Sequence, residues 1–575
     1  KPLVPKETMR ARGVKPKAAA FLADMTTTAA DDLIFGLTRL VDLPGLTNAA
    51  GAPLSADDIA QIVNEANRFC TEALQPKAQE ADKQGARYAN GTVTPPAHYP
   101  ALYDQWREGG WQGLAAPAEH GGQGLPLSLW TAMVELGMAA DTSFMLGPLL
   151  SAGAIDLLRH YATPDQAARW LPPMIAGEWT GAMCLTEPQA GSDLGVLRTR
   201  AEPLGNGRYA LHGQKIFITW GEHDMSENII HLVLARLPNA PDGIKGISLF
   251  LVPKILVNDD GTLGKPNDLK ALSIEHKIGI HACPTCVMSY GEIDGAVGYL
   301  VGEENKGIQC MFTMMNNARL TVGLQGVSIS ERAYQQALSF CNERVQGVAP
   351  GFKDIGPIIR HPDVQRMLAN MKSITQGSRV LTYAACAEVD YSLSKLPLEN
   401  LEKHERRLGL LTPIVKGWCT ETAQEVASLS LQCHGGMGYV EETGIAQILR
   451  DARILPIYEG TNSIQAADLV FRKLVNKNGD IINKYLELIN NDCITENEKL
   501  KPFIKELKTH LEILSTFTVW IKEKVQNSKD DASAACNDYL KALGFVSIAH
   551  AWIKVLEVSF KDYEQNKDFY EDKIQ

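Results

Sequence analysis

The chain has 575 residues, and its 56 Lys plus Arg against 67 Asp plus Glu give a formal net charge of −11. Such a length exceeds one compact domain of about 100–200 residues, and 45% hydrophobic residues supply material for several cores. The acidic balance disfavours a role that is mainly nucleic-acid binding, because broad phosphate neutralisation needs a basic surface.

The cysteines favour a reducing environment over a disulfide-bonded, secreted scaffold. There are 11, an odd number, and they are spread along a long chain. The only Cys-x-x-Cys, Cys283 to Cys286, has no second pair nearby, so no metal site is predicted. No apolar run approaches the about 20 residues that span a bilayer, so no transmembrane segment is expected.

Helical periodicity dominates the first third of the chain. Ser55 stands at an N-cap position before apolar residues that share one helix face, and Thr163-Pro164 repeats this start signal. We therefore predict an N-terminal helical domain over 26–178. A basic leader over 1–25 precedes it and is expected to be flexible.

The composition changes near residue 180 to short β-favouring segments. Ile229–Ala235 and Ile247–Val252 have this character, and turn signals such as Gly-Asn-Gly at 205–207 separate such segments. They predict a middle, β-barrel-like domain over 179–300.

Long helical patterns return after the β segments. They predict a C-terminal helix bundle over 301–475. Leu507, Leu511 and Leu514 then recur at helical spacing, which predicts a further helical extension over 476–575. The order helical, β, helical indicates an α+β multidomain protein.

The first segment that could carry chemistry is Met183–Asp193, MCLTEPQAGSD, where an apolar strand runs into a loop. Thr186 and Ser192 offer hydroxyl and backbone N–H groups that suit a heteroaromatic edge or a phosphate. A capped turn is the alternative for these residues. Neither glycine-rich fingerprint for phosphates, G-x-G-x-x-G or G-x-x-x-x-G-K-[ST], occurs, so a dinucleotide would have to be held in another way.

Two later segments add a glycine cluster and a carboxylate. In Leu431–Tyr439, LQCHGGMGY, the glycines let the backbone approach a ligand closely, whereas His434 alone is more typical of a loop or core. In Arg453–Thr461, RILPIYEGT, Glu459 follows an apolar run. A carboxylate in apolar surroundings has a raised pKa and can act as a general base, although a solvated glutamate at a helix start is the alternative.

Together with Lys215–Trp220, KIFITW, these segments resemble the signature stretches of the acyl-CoA dehydrogenase family. The resemblance runs from about residue 60 to residue 475. Four further segments resemble a long bacterial subgroup of that family, which implies a cytoplasmic protein. They are Glu275–His281, Pro284–Cys286, Gly302–Gly307 and Met314–Arg319.

The resemblance implies an FAD-dependent enzyme that oxidises an acyl-CoA thioester to the trans-2-enoyl-CoA. By match to the family motif, Glu459 would remove the α-proton while a β-hydride passes to flavin N5. The Glu459 backbone N–H and a flavin ribityl hydroxyl would polarise the thioester carbonyl, as in an oxyanion hole. An electron-transfer flavoprotein would then accept the electrons.

The resemblance also implies binding residues. For the cofactor they are Leu185, Thr186 and Ser192 at the ring or the substrate, Phe217 and Thr219 beside the ring, Thr461, Arg344 at the pyrophosphate, and Gln432 and Gly436 at the adenine. For the substrate they are Ser192, Asn316, Arg319 and Gly460. Family members bind FAD across a subunit interface, so a homo-oligomer, at least a dimer, is expected.

Two departures from the family pattern affect these matches. Asn316 stands where the family often has an acid. Arg344-Val-Gln-Gly347 lacks the Phe that many members carry between Gln and Gly.

Two alternatives stay open at this stage. Oxygen access depends on pocket closure rather than on a short motif, so an oxygen-using acyl-CoA oxidase of the same fold has the same signature. A DNA-associated relative outside β-oxidation would need a basic C-terminal region. Residues 476–575 mix Lys-rich and acidic stretches, which disfavours that reading.

The last hundred residues exceed the resembling core. We expect them to pack as helices against it and to shape the subunit interface or the far end of the acyl pocket.

Overall fold

The computed structural model describes residues 29–392, 398–475 and 480–574, so the predicted leader lies outside the described residues. They form two compact units. The first comprises residues 29–60, 326–456 and 462–574, and the second comprises 61–325 together with the short segment 457–461.

Helices occupy most of the described chain before the main sheet. They are α1 (Ala29–Phe35), α2 (Leu43–Ala50), α3 (Ala56–Phe69), α4 (Ala78–Gln84), α5 (Tyr99–Glu108), α6 (Leu127–Ala140), α7 (Thr142–Tyr161) and α8 (Pro164–Ile175). A small hairpin of β1 (Arg87–Ala89) and β2 (Thr92–Thr94) interrupts them.

Both predicted helix starts are confirmed. Ser55 Oγ accepts a hydrogen bond from the backbone N–H of Asp58 at 3.1 Å, and the Asp58 carboxylate accepts from the Ser55 N–H at 2.9 Å. Thr163 and Gln166 make the same reciprocal capping box at the start of α8, with Pro164 in the first turn. These caps satisfy backbone donors that a helix start would otherwise leave unpaired.

The β segments form a barrel-like sheet. Its strands are β3 (Trp179–Cys184), β4 (Arg200–Gly205), β5 (Arg208–Thr219), β6 (Asn228–Arg236), β7 (Ile247–Pro253), β10 (Leu269–Ile274), β11 (Thr285–Tyr290) and β12 (Ala296–Val301), with β8 (Ile255–Val257) and β9 (Leu263–Pro266) paired separately. The order is β10-β11-β5-β12-β7-β6-β3. Because β4 pairs with both β5 and β6, the strands β4, β5, β12, β7 and β6 close a ring.

The closed ring has two apolar faces. The ring's inner face contributes Val233 and Phe250 to a buried cluster that also contains Met288 of β11, a strand outside the ring. Its outer face, through Leu232 and Leu249, packs with Trp170 of α8 and its neighbours. The near-continuous burial of β6 and β7 follows from this covering on both sides.

Helices, several of them long, make up most of the remaining described residues. They are α9 (Gly307–Glu343), α10 (Pro362–Ser392), α11 (Leu398–Cys433), α12 (Ile445–Ala452), α13 (Asn462–Asp468), α14 (Asp480–Asp492), α15 (Lys501–Asn527), α16 (Lys529–Asp562) and α17 (Lys567–Ile574). Leu507, Leu511 and Leu514 of α15 are buried, so the predicted packing of this segment is confirmed.

Helix α16 joins the last hundred residues to the helix bundle, because it packs on α10, α11, α13 and α15. Among the described helices of at least 18 residues, α16 is the one with the length and composition to cross a membrane. However, 61% of its most apolar window is buried inside the fold, which is the pattern of a core helix.

Candidate functional site

The loop after β3 is held against strand β5. The backbone carbonyl of Thr186 accepts a hydrogen bond from the N–H of Ile216 at 2.9 Å, which places Thr186 beside the β5 residues that precede Phe217. Leu185 is buried, Thr186 is half-buried and Ser192 is exposed further along the loop. The structure therefore brings the Leu185–Thr186 end of the Met183–Asp193 segment next to the Lys215–Trp220 segment.

A buried ion pair holds this loop in place. Lys215 Nζ has no exposed surface and donates to the Leu185 carbonyl at 2.9 Å and to Glu187 Oε1 at 2.8 Å. Glu187 also accepts from the backbone N–H groups of Arg198 and Thr199 and from the Thr199 hydroxyl. Burial opposes the charge of Glu187, but Lys215 and these donors outweigh it and hold its pKa at about 2.

Strand β5 ends in a strained turn that presents an aromatic ring. Phe217 has φ 59° and Trp220 has φ 51°, values that bulky residues rarely adopt. Trp220 is buried and donates from Nε1 to the Ser143 carbonyl at 3.2 Å, whereas Phe217 is 58% exposed. Thr219 lies half-buried at the strand end and pairs with Thr285. The result is an exposed aromatic side chain at the end of β5.

The predicted base lies in a loop between α12 and α13. Glu459 has φ 55° and Gly460 has φ 82°, so two successive residues are left-handed. Glu459, Gly460 and Thr461 are half-buried. Tyr458 precedes them and donates a hydrogen bond from its hydroxyl to Gln325 of α9. Glu459 therefore belongs to a sharp turn, not to the start of a regular helix.

The residues predicted at the pyrophosphate and adenine lie in the first unit. Arg344 follows α9 and is exposed, and its carbonyl accepts from the Ile358 N–H at 2.8 Å. Gln432 and Gly436 are exposed, and a Cβ added at Gly436 would meet no atom within 4 Å. The adjacent His434 is buried instead and stacks on Phe340 at 4.4 Å between ring centroids, which agrees with its interpretation as a core histidine.

Two of the four predicted substrate residues, Asn316 and Arg319, lie on α9. Arg319 is half-buried there, and the side chain of Asn316 lies outside the described residues.

Sequence reasoning missed the residues that hold the site residues in place. In the sequence, Lys215 stands out only as part of a motif, and no pattern marks Gln325. The available signal was a lysine directly before the apolar run Ile216–Ile218 of a predicted strand. Such a side chain needs a buried partner.

The cysteines give no sign of a metal site. All 11 are buried thiols that form no disulfide, including Cys283 and Cys286. In the described ranges, no three His, Cys, Asp or Glu residues are grouped as metal ligands.

Comparison with known proteins identifies the family. Domain models of acyl-CoA dehydrogenases match this chain as the N-terminal domain over 56–178, the middle domain over 182–292 and the C-terminal domain over 305–474. A model described as acetyl-CoA dehydrogenase C-terminal like matches 481–575. The chain therefore belongs to the acyl-CoA dehydrogenase family, flavoprotein oxidoreductases that act on CH–CH groups, and the predicted resemblance is confirmed.

Individual relatives agree with the predicted subgroup. The chain is 48% identical over 473 residues to 3-methylmercaptopropionyl-CoA dehydrogenase of Ruegeria pomeroyi, which covers 82% of this chain and 79% of the relative. It is 36% identical over 482 residues to a butyryl-CoA dehydrogenase of Syntrophomonas wolfei subsp. wolfei, covering 81% and 78%.

Solved structures confirm the α+β fold class. Caenorhabditis elegans ACDH-11 matches with a TM-score of 0.75 at 20% identity, covering 93% of this chain and 89% of that one. An acyl-CoA dehydrogenase from Bacillus anthracis, solved in complex with FAD, matches with a TM-score of 0.73 at 21% identity, covering 90% and 85%.

Proposed function

We propose that this protein is an FAD-dependent dehydrogenase that converts a short-chain acyl-CoA to its trans-2-enoyl-CoA, with Glu459 as the base. The observation that carries the proposal is the left-handed turn at Glu459 and Gly460. Such a turn is unfavourable for a glutamate and is typical of functional sites.

The residues present suit FAD. The 58% exposed ring of Phe217 offers an apolar surface for a flat heteroaromatic group, and the hydroxyls of Thr186 and Thr219 can bond to its polar edge. The exposed Arg344 would supply a cation for a pyrophosphate, and Gly436 leaves room for close backbone approach. When bound, FAD supplies the acceptor for the hydride that leaves the substrate β-carbon.

Glu459 takes the α-proton in this proposal. Its carboxylate needs a pKa nearer to neutral than its solution value of about 4.3, and a bound acyl chain that displaces water raises it. The Glu459 backbone N–H donates to the thioester carbonyl and thereby stabilises the negative charge that develops when the α-proton departs. Arg319 and Asn316 would bind the CoA portion, and Ser192 and Gly460 would line the acyl site.

The short acyl group is supported by the two relatives described above. One is named for a thioether acyl-CoA, 3-methylmercaptopropionyl-CoA, and the other for butyryl-CoA. We further propose an electron-transfer flavoprotein as the electron acceptor and a homo-oligomer as the functional form.

The test is anaerobic titration of the holoenzyme with a panel of acyl-CoAs, with loss of flavin absorbance as the readout. We expect 3-methylmercaptopropionyl-CoA and butyryl-CoA to bleach the flavin faster than long-chain acyl-CoAs. Glu459→Gln should slow bleaching by about 10²–10⁴-fold, the usual contribution of a general base. The exposed Glu402, which pairs with Arg406 at 3.0 Å, provides the control Glu402→Gln with unchanged bleaching.

Two outcomes would overturn parts of the proposal. If no acyl-CoA bleaches the flavin and Glu459→Gln behaves like the wild type, the protein is not a dehydrogenase of this kind. Rapid turnover in air without an added acceptor, with release of peroxide, would assign it instead as an acyl-CoA oxidase.

A further inference from the structure

The conformation of Glu459 needs support from its neighbours. A left-handed glutamate is uncommon, and it persists only where the surrounding structure holds it. Pro456 and Asn462, which flank the segment 457–461, lie in the first unit and show how the two ends of the turn are held.

A backbone hydrogen bond closes the turn. The N–H of Asn462, the first residue of α13, donates to the carbonyl of Pro456 at 3.0 Å. Because these two residues flank the five residues that include Glu459, the position of Asn462 determines how the turn enters α13.

The side chain of Asn462 is bound on both of its polar atoms. Oδ1 accepts from Lys416 Nζ at 3.0 Å and from Thr420 Oγ1 at 3.1 Å. Nδ2 donates to Glu421 Oε2 at 3.0 Å and to the Gly417 carbonyl at 3.4 Å. Lys416 and Thr420 have no exposed surface. A fully buried lysine needs polar partners, and the Asn462 amide is one of those that hold Lys416.

The turn of α11 that carries these partners is itself packed tightly on both sides. A Cβ added at Gly326 of α9 would lie 2.4 Å from the backbone carbonyl oxygen of Cys419. A Cβ added at Gly417 would lie 2.5 Å from Leu540 of α16. These glycines let three helix surfaces meet closely, so the partners of Asn462 stand on a rigid support.

We propose that Lys416 and Asn462 act as positioning residues that aim the Glu459 carboxylate at the substrate α-carbon. This inference rests on the proposed function, because it assumes that Glu459 is the base. A general base must lie within hydrogen-bond reach of the proton that it removes. A displacement of about 1 Å can reduce the rate about 10²-fold without any loss of the group itself.

The test compares Asn462→Ala with the matched control Asn537→Ala in the FAD-loaded protein. Asn537 donates to Ser463, the neighbour of Asn462, from an exposed position at 3.4 Å. Anaerobic stopped-flow reduction is followed with butyryl-CoA that is unlabelled, deuterated at Cα or deuterated at Cβ. We expect Asn462→Ala to slow flavin reduction about 10²-fold and to raise the Cα isotope effect relative to the Cβ effect.

A role in positioning predicts that the rate of flavin reduction falls strongly while the folded protein keeps its FAD. Asn462→Ala should keep its FAD, and its thermal midpoint should fall only modestly because the buried Lys416 loses one of its partners. Asn537→Ala should match the wild type in every readout. Lys416→Met should reproduce the isotope pattern of Asn462→Ala, and Lys416→Arg should restore part of the rate because it keeps a cationic donor.

The outcomes separate this inference from the proposed function. The positioning role is overturned if the flavin of Asn462→Ala is reduced as fast as that of the wild type. It is also overturned if reduction is slower but FAD is lost and the ratio of the Cα to the Cβ isotope effect is unchanged. If Glu459→Gln reduces as fast as the wild type, the proposed function itself fails. If Glu459→Gln is inactive while Asn462→Ala is normal, only the positioning role is wrong.

Discussion

At the scale of single residues, the pair Lys215 and Glu187 shows how a charge can be kept in a protein core. Neither side chain has more than 3% exposed surface. Lys215 binds a carbonyl and a carboxylate, and Glu187 receives donors from the loop that carries Thr186. Breaking such a pair costs more than forming it gains, because the remaining charge stays buried.

We therefore expect Lys215→Met to lower the free energy of unfolding by about 3–5 kcal/mol. Chemical denaturation of the holoenzyme measures this loss. The exposed pair of Lys270 and Glu292, at 2.7 Å, provides the control Lys270→Met with a loss below about 1 kcal/mol. An equal loss of unfolding free energy in the two variants would contradict the argument that burial makes the Lys215–Glu187 pair costly to break.

The loss of stability in Lys215→Met should depend on pH. The pKa of Glu187 falls from an ordinary 4.5 to about 2 in the folded protein. Its stabilising charge is therefore fully present above pH 4.5 and is lost as the pH falls towards 2. The difference in stability between the wild type and Lys215→Met should narrow over that range.

At the scale of elements, the crossing of α9 and α11 depends on one glycine. Gly326 faces the backbone of α11 at Cys419, and a backbone atom cannot move aside as a side chain can. This contact sets the spacing of two long helices in the first unit.

Gly326→Ala should lower the free energy of unfolding by about 1–3 kcal/mol, because the added methyl group forces the helices apart. Gly409→Ala on α11 should instead raise the free energy of unfolding. Its Cβ would meet only the end of the flexible Lys473 side chain at 3.2 Å, and alanine stabilises a helix interior by about 0.5–1 kcal/mol. Thermal unfolding of both variants checks the signs, and a stable Gly326→Ala protein would show that the crossing tolerates a wider spacing.

At the scale of the whole molecule, a buried charge cluster ties the two ends of the described chain to the bundle. Lys573 of α17 binds Asp32 of α1, and Asp32 also lies 3.6 Å from Arg379 of α10. Arg379 binds Glu331 of α9 at 2.7 Å. Burial opposes the charge on Asp32, but Lys573 and Arg379 outweigh it and lower its pKa.

Deletion of the C-terminal extension would expose the faces of α10, α11 and α13 that α16 covers. A single substitution in the charge cluster is therefore a sharper test of how the extension stabilises the fold. Lys573→Met should lower the free energy of unfolding by about 2–3 kcal/mol, because it removes a hydrogen bond to a charged group. Limited proteolysis should then cut first near α17. A variant as resistant as the wild type would contradict a stabilising role for this link.

Much of the architecture could be predicted because periodicity is a local property. The helical faces, the caps at Ser55 and Thr163 and the apolar β segments depend on neighbours within a few residues. Motif resemblance likewise identified the family from Thr186, Phe217 and Glu459. The roles of these three residues remain proposals with the tests given above.

The sequence by itself therefore determined the element types, the fold class and the family. Only the tertiary structure decided that Lys215 pairs with Glu187 and Lys416 with Asn462, that the Glu459 turn is left-handed, and that Lys573 reaches Asp32. These contacts join residues between 28 and 541 positions apart. No local pattern specifies such partners, because a buried charge is satisfied by whichever groups the packed chain brings within hydrogen-bond distance.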